Sequence, residues 1–426
     1  MFWAARWNSA KMGIQKLMKP LTIAMLSIHS SPIGALGTRD TGGMSVYVSE
    51  LAREMGRKGH RVDIFTLRRH EDNPDVVGLA PNVRLVSLDI AQGRPSSTAG
   101  LYACARDTMT AIEAFRRRQA RDYDLIHSHY WISGQVGRMA RESWQRPHVI
   151  TFHTLGAVKA DTGIGAAEPK RRLTVERELV NICQGLLAPC EGEKANLMHY
   201  YGADAARITM VPGGVDLDCF RPMDKTIARR RLGIDPHVGQ LLSIGRLTPQ
   251  KGQDRIIAAL PHIESDKRPQ LMVVGGNGDE DPEQRRLHKL AAAAGLQERI
   301  TFCGSVTHRD LPAYFAAADI FVQASHYESF GLAGLEALAC GRPVVSTPVG
   351  VVAELARMQR PGIITTEGSP TALAAGITAA EDRSSDWPDH IIRQTVKEFS
   401  WTHAASAALA AYRAARQADT APHARH

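Results

Sequence analysis

The sequence predicts an α/β fold: two facing, doubly wound Rossmann-like domains with a cleft between them. Apolar runs of strand length alternate with alanine-rich helical stretches from residue 21 almost to the end, the pattern of parallel sheets with crossover helices. That alternation breaks once, at residues 211–219, in a loop holding a proline, two glycines and two aspartates. Glycine-rich or charged loops follow several of the strands, at the strand ends where open parallel sheets bind ligands. The expected division is an arm over residues 1–19, a first domain over 20–212 and a second over 213–400. A helix at 401–416 is expected to return to the first domain.

Arg6, Lys11, Lys16 and Lys19 give the arm a charge of +4 with no acidic residue, half of the chain's net +8. It lacks an apolar signal core. It is expected to be disordered, or an upstream start preceding Met12 or Met18, with at most peripheral membrane contact through Trp3 and Trp7. A buried strand follows at 21–27. Gly37-Thr-Arg-Asp-Thr-Gly-Gly43 joins it to a helix at 44–58, and Gly59 stops that helix. Gly42 and Gly43 let backbone approach an anion at a helix start, although the spacing is neither a dinucleotide fingerprint nor a Walker loop. Further strands are expected at 60–67, 124–127, 148–152, 185–188 and 208–211.

His127-Ser-His129 and Thr151-Phe-His-Thr154 end two of these strands. The first pair invites a metal, but the two rings are expected on opposite faces of the strand and no third ligand suggests itself. His153 is expected to face the cleft, where it could bond a sugar hydroxyl or stabilise reaction charge. Asp122-x-Asp124 and Asp216-x-Asp218 resemble metal–diphosphate pairs but stand where turns and caps are expected.

The second series has strands at 240–244, 270–274, 300–303, 320–323 and 343–346. Gly245-Arg-Leu-Thr-Pro-Gln-Lys-Gly252 follows the first of them, and Arg246 with Lys251 could clamp a diphosphate and stabilise a leaving group. Gly275-Gly-Asn-Gly278 adds a flexible loop on the same rim. Glu328-Ser-Phe-Gly-Leu-Ala-Gly-Leu-Glu336 places one carboxylate at a strand end and another inside an apolar helix expected at 330–339. A charge on such a helix is costly unless hydrogen-bonded. A polyhydroxyl ligand would satisfy both carboxylates, and the helix start between them suits a phosphate. The competing structural reading has Glu328 capping the helix and Glu336 paired with a basic side chain.

A hydrophobic content of 44% with 23% charged residues places the chain among ordinary soluble globular proteins. The six cysteines include no CxxC pair, which fits a reduced, cytoplasmic setting and gives no zinc site or disulfide framework. Outside the arm no basic stripe with interleaved aromatics appears, so nucleic acid is not an expected partner, and a basic nucleic-acid-binding protein is a distant alternative.

Together these segments resemble the retaining glycosyltransferases of the GT-B fold, in the large group called glycosyltransferase group one, over nearly the whole chain after residue 20. The resemblance implies that Arg246 and Lys251 bind the donor diphosphate, that Glu336 holds the ribose hydroxyls and that Glu328 holds the transferred sugar. It implies backbone contacts at Phe330, Gly331 and Leu332, with Gly42 and Gly43 closing over the donor. The catalytic set is then His153, Arg246, Lys251 and Glu328. Asp40-Thr-Gly-Gly-Met-Ser-Val-Tyr-Val48 and the two histidine segments are most similar to a branch using small, often phosphorylated polyol acceptors. That branch includes inositol-phosphate N-acetylglucosaminyltransferases and sucrose-phosphate synthases. There Thr154 and an arginine matching Arg171 would hold an acceptor phosphate. Ser45 stands where the inositol-phosphate enzymes usually carry asparagine, and the shortened segment 91–98 lacks their lysine, for which Arg94 could substitute.

The implied reaction is a same-face substitution from a nucleoside diphosphate sugar, UDP-sugar favoured, with the leaving diphosphate taking the acceptor proton. It needs neither a metal nor a cofactor, the donor being a substrate. A glycosidase-like pair is rejected because one glutamate is assigned to ribose. A nucleotide-sugar epimerase or hydrolase on the same scaffold is the nearest alternative, and homodimerisation stays open.

Overall fold

A computed structural model describes residues 19–33, 42–68, 74–91, 93, 95, 97–164, 168–264, 268–276, 278 and 281–420. The arm apart from Lys19, residues 37–41 of the first glycine loop, Arg94 and Asn277 lie outside them.

Two sheets carry the fold. The first contains β1 (Thr22–Leu26), β2 (Arg61–Leu67), β3 (Val76–Ala80), β4 (Val83–Leu88), β5 (Leu125–His129), β6 (His148–Thr151), β7 (Gly185–Ala188) and β8 (Ile208–Met210). Their order is β3-β4-β2-β1-β5-β6-β7-β8, and every pairing is parallel except β3 with β4. The second contains β9 (Gln240–Ile244), β10 (Gln270–Val274), β11 (Ile300–Gly304), β12 (Ile320–Gln323), β13 (Val344–Ser346) and β14 (Ile363–Thr365), all parallel in the order β11-β10-β9-β12-β13-β14. The two-domain, Rossmann-like architecture read from the alternation is therefore the observed one.

Helices cover both faces of each sheet, so the central strands are buried on both sides and read as continuous apolar runs. The sequence reading did not anticipate β3, β4 and β14. The first two form a hairpin at a sheet edge, where Val76 is exposed and burial is mixed, so the apolar signal is weak.

The chain passes between the domains twice at one place. Val215 N–H donates to Phe399 O (2.9 Å), and a Cβ on Gly214 would come within 2.5 Å of Trp401 N. The last helix, Trp401–Thr420, then packs on the helix Gly43–Arg57 and on β7 and β8. Its Tyr412 hydroxyl lies 2.7 Å from His127 Nδ1 inside the first domain. Three of these four aspartate side chains serve structure: Asp124 Oδ2 accepts from Thr22 N, Asp122 pairs with Arg146, and Asp216 Oδ1 accepts from Asp218 N and Cys219 N.

Candidate active site

In the second sheet the strand order reverses between β9 and β12, and the crevice beyond their carboxyl ends is where such a sheet takes a ligand. The loops singled out by sequence follow those two strands. The β9 loop must cross close to the β12 end, and Gly252 permits it: its φ is +68°, and a Cβ would lie 2.1 Å from Ala324 O. The crossing is locked where His326 N–H donates to Gln250 O (2.9 Å). Lys251 Nζ consequently reaches Glu328 Oε1 at 2.5 Å, and the Ser325 hydroxyl donates to the same oxygen at 2.8 Å. Arg246 stands exposed nearby, its guanidinium without an ion pair among the described residues. Glu328 is thus paired rather than capping a helix.

The apolar helix begins at Leu332, two residues later than expected, because Gly331 takes a left-handed conformation (φ +87°) as its cap. Glu336 is buried on it, and Glu336 Oε1 lies 2.6 Å from His308 Nε2. Burial disfavours a charge on His308, but the Glu336 carboxylate, with Glu50 and Asp216, outweighs it and holds the imidazole pKa above its ordinary value. Sequence reasoning overlooked His308. Its signal was a position just past the β11 end, on the rim that carries Arg246 and Glu328.

On the opposite wall, the His127–His129 expectation needs correction. Residues two apart share a strand face, and the rings are 4.0 Å apart, centre to centre. They belong to a buried set: His127 Nε2 meets Thr151 Oγ1 (3.0 Å), and His129 Nδ1 meets His153 Nε2 (2.8 Å). Among the described residues no group of three His, Cys, Asp or Glu could hold a metal ion. His153 sits at φ +59°, a strained conformation for a residue with a side chain, with Tyr47 edge-on to its ring. Burial lowers its pKa to about 3, so the ring is neutral near neutral pH and works as a hydrogen-bonding group.

A cleft of about 500 Å³ joins the two walls. Gly42, Gly43, His153, Thr154, Arg246, Lys251, Glu328, Phe330, Gly331, Leu332 and Glu336 all line it. Gly42 faces Arg246 and Gly43 faces Leu332 across the domains, each with room for little more than a Cβ. Two candidates lie elsewhere. Ser45 is buried, its hydroxyl 2.9 Å from that of Ser30 and 3.5 Å from Gly42 N, where it braces the glycine turn. Arg171 is exposed, with its guanidinium over the Tyr102 ring. Its neighbour Arg172 is buried instead, bonding Glu176 and Glu168 and donating to both Thr154 O (2.9 Å) and Thr154 Oγ1 (3.0 Å).

Residues 224–397 match the family described as glycosyl transferases group 1, and residues 41–219 match glycosyltransferase family 4. Over 410 residues the chain is 38% identical to a D-inositol 3-phosphate glycosyltransferase of Geodermatophilus obscurus, covering 93% of this chain and 90% of that one. The chain belongs to the group 1 glycosyltransferases. A second D-inositol 3-phosphate glycosyltransferase, from Catenulispora acidiphila, is 37% identical to this glycosyltransferase over 92% of this chain and 95% of its own. Among solved structures, the sucrose-phosphate synthase of Thermosynechococcus elongatus superposes with a TM-score of 0.85 at 27% identity, covering 93% of this chain and all of that one. The glycosyltransferase thus has the GT-B fold that its strand-end motifs implied.

Proposed function

We propose that this glycosyltransferase moves a sugar, with retention, from a nucleoside diphosphate sugar to a hydroxyl of a small, phosphorylated polyol or sugar. UDP-sugar is the favoured donor. The observation that carries this reading is the meeting of Lys251, Arg246, Glu328 and Glu336 at the switch point of the second sheet. The donor diphosphate would draw Lys251 from Glu328 and take Arg246 as its second cation, leaving the Glu328 carboxylate to accept bonds from sugar hydroxyls. Glu336, held by His308, would accept from the ribose. Backbone at Phe330, Gly331 and Leu332 would meet the phosphates.

The acceptor oxygen forms a bond to the anomeric carbon on the face from which the diphosphate leaves. The carbon–oxygen bond to phosphate breaks with its electron pair, and the acceptor proton passes to a leaving-phosphate oxygen. Lys251 and Arg246 would stabilise the charge building there, and no step calls on a metal or cofactor. Neutral His153 and the Thr154 hydroxyl would position the acceptor. Ser45 would act through the glycine turn it braces, and Arg171 would reach an acceptor phosphate by leaving Tyr102. The similarity to D-inositol 3-phosphate glycosyltransferases and to a sucrose-phosphate synthase supports a phosphorylated small acceptor.

The test is a donor screen by thermal shift, then mass spectrometry of products from a polyol-phosphate panel and NMR of the anomeric proton. Inversion, or donor consumption without an acceptor adduct, would overturn the proposal; the second result would favour an epimerase or hydrolase.

A further inference from the structure

Behind Glu328 the domains meet through a polar contact that the transfer reaction does not use. Tyr327 lines the cleft, and its hydroxyl donates to Glu193 Oε2 (2.7 Å) while accepting from Leu155 N–H (3.2 Å). Glu193 belongs to the first-domain helix Glu191–Tyr201, and Leu155 directly follows His153 and Thr154. Three successive N–H groups here lead into the short helix Gly156–Asp161. Gly156 N–H is satisfied by Glu176 Oε2 (2.9 Å) and Ala157 N–H by the Tyr201 hydroxyl (3.0 Å), both first-domain groups. Leu155 N–H is satisfied by the second domain. The acceptor-side loop is therefore complete while the cleft is closed.

The contact is buried and incompletely bonded. Glu193 Oε1 and Ser329 Oγ are both buried and meet no partner at good hydrogen-bond geometry among the described residues, although Ser329 and Asn196 stand close enough to stabilise the Glu193 carboxylate. Cys190 Sγ donates to Ser329 O (3.0 Å), and Gly192 N–H donates to Glu354 Oε1 (3.1 Å), extending the same seam. We propose that Tyr327 and Glu193 form a closure latch: two positioning residues that couple the acceptor loop at Leu155 to the carboxylate at Glu328 across the domain seam.

The latch holds better when Glu193 is protonated, because enclosing a carboxylate is costly. Burial raises the Glu193 pKa to about 7; Tyr327 and Ser329 oppose that rise, Glu176 adds to it, and neutral Asn196 opposes it. Opening would return the group toward water and an ordinary carboxylate pKa, so closure takes up a proton. The closed form is then favoured at acidic pH and weakens as pH rises through about 7. Around it, burial raises Tyr327 and Cys190 well clear of this range. Glu354 across the seam is raised by burial too, so changing Glu193 alone is needed to isolate its share.

The test is small-angle scattering of the ligand-free full chain at about pH 5.5 and pH 8.5, which depends on no substrate assignment. The wild type should expand at the higher pH by roughly 1 Å in radius of gyration, from the ~22 Å of a compact chain this long. Glu193→Gln, neutral and isosteric, should stay compact at both, whereas Tyr327→Phe should be expanded at both. With active substrates, Tyr327→Phe should lower kcat/KM for the acceptor about tenfold with UDP binding unchanged. Circular dichroism would verify folding of each variant. Wild-type dimensions independent of pH, or a Glu193→Gln protein that expands like the wild type, would overturn the latch. Failure of UDP to bind would instead count against the donor assignment.

Discussion

Lys251→Met removes the cation that pairs with Glu328 in the cleft, on the side proposed to bind the donor, while keeping an aliphatic chain of similar length. In the ligand-free protein Lys251 contacts Glu328 at 2.5 Å, with the two side chains 25% and 13% exposed. Water screens such a pair, so its loss should cost on the order of 1 kcal/mol of stability, with Ser325 still bonding the carboxylate. The effect on catalysis should be larger. A charge-assisted bond to the diphosphate is worth about 1.5–3 kcal/mol, so UDP affinity should fall roughly 10- to 100-fold. Charge on the leaving diphosphate peaks in the transition state, so kcat should fall further, by about 10²–10³. Calorimetric titration with UDP, product formation by mass spectrometry and urea unfolding separate the three effects. Lys251→Arg should recover part of the affinity. Unchanged turnover in a folded Lys251→Met protein would refute the leaving-group role.

Because Glu336 raises the His308 pKa, the pair adds stability that is complete below the ordinary histidine pKa and disappears as pH rises through the folded value. Urea unfolding should thus find His308→Gln destabilised more at about pH 5.5 than at pH 8.5; equal losses would contradict the pairing. Glu336→Gln should raise donor KM about tenfold with less effect on kcat, as expected of ribose contacts that change little between ground and transition states. Arg172→Met would strand Glu176, which is fully buried, and should cost about 3–5 kcal/mol in urea unfolding. Gly252→Ala should cost more than 1 kcal/mol and weaken UDP binding, because the added Cβ drives the Lys251 loop away from Ala324.

The strands of both sheets that are buried on two faces were legible because an apolar run at strand length bounded by turn residues has few other uses. The β3–β4 hairpin escaped because an edge pair packs on one side and carries exposed residues. On the cleft wall of the second domain Arg246, Lys251 and Glu328 were legible for a related reason: each lies in a loop that follows a strand, parallel topology brings those loops to one rim, and Glu336 stands on the helix that follows the Glu328 loop. The acceptor side resisted. Arg171 and Arg172 are adjacent and chemically identical, and helix phase alone points one at Tyr102 and the other at Thr154.

The amino-acid sequence by itself thus determined the two Rossmann-like units and which carboxylates and cations stand along the rim of the cleft, because these follow from local periodicity and position relative to the strands. Tertiary structure decided what those groups touch. Lys251 meets Glu328 across 77 residues, His308 meets Glu336 across 28, and Tyr327 meets Glu193 across 134. None of these pairs has a sequence pattern, because chain folding sets the distance between partners on different elements and domains; burial then sets the ionisation of His153 and Glu193, and the Glu336 carboxylate that of His308.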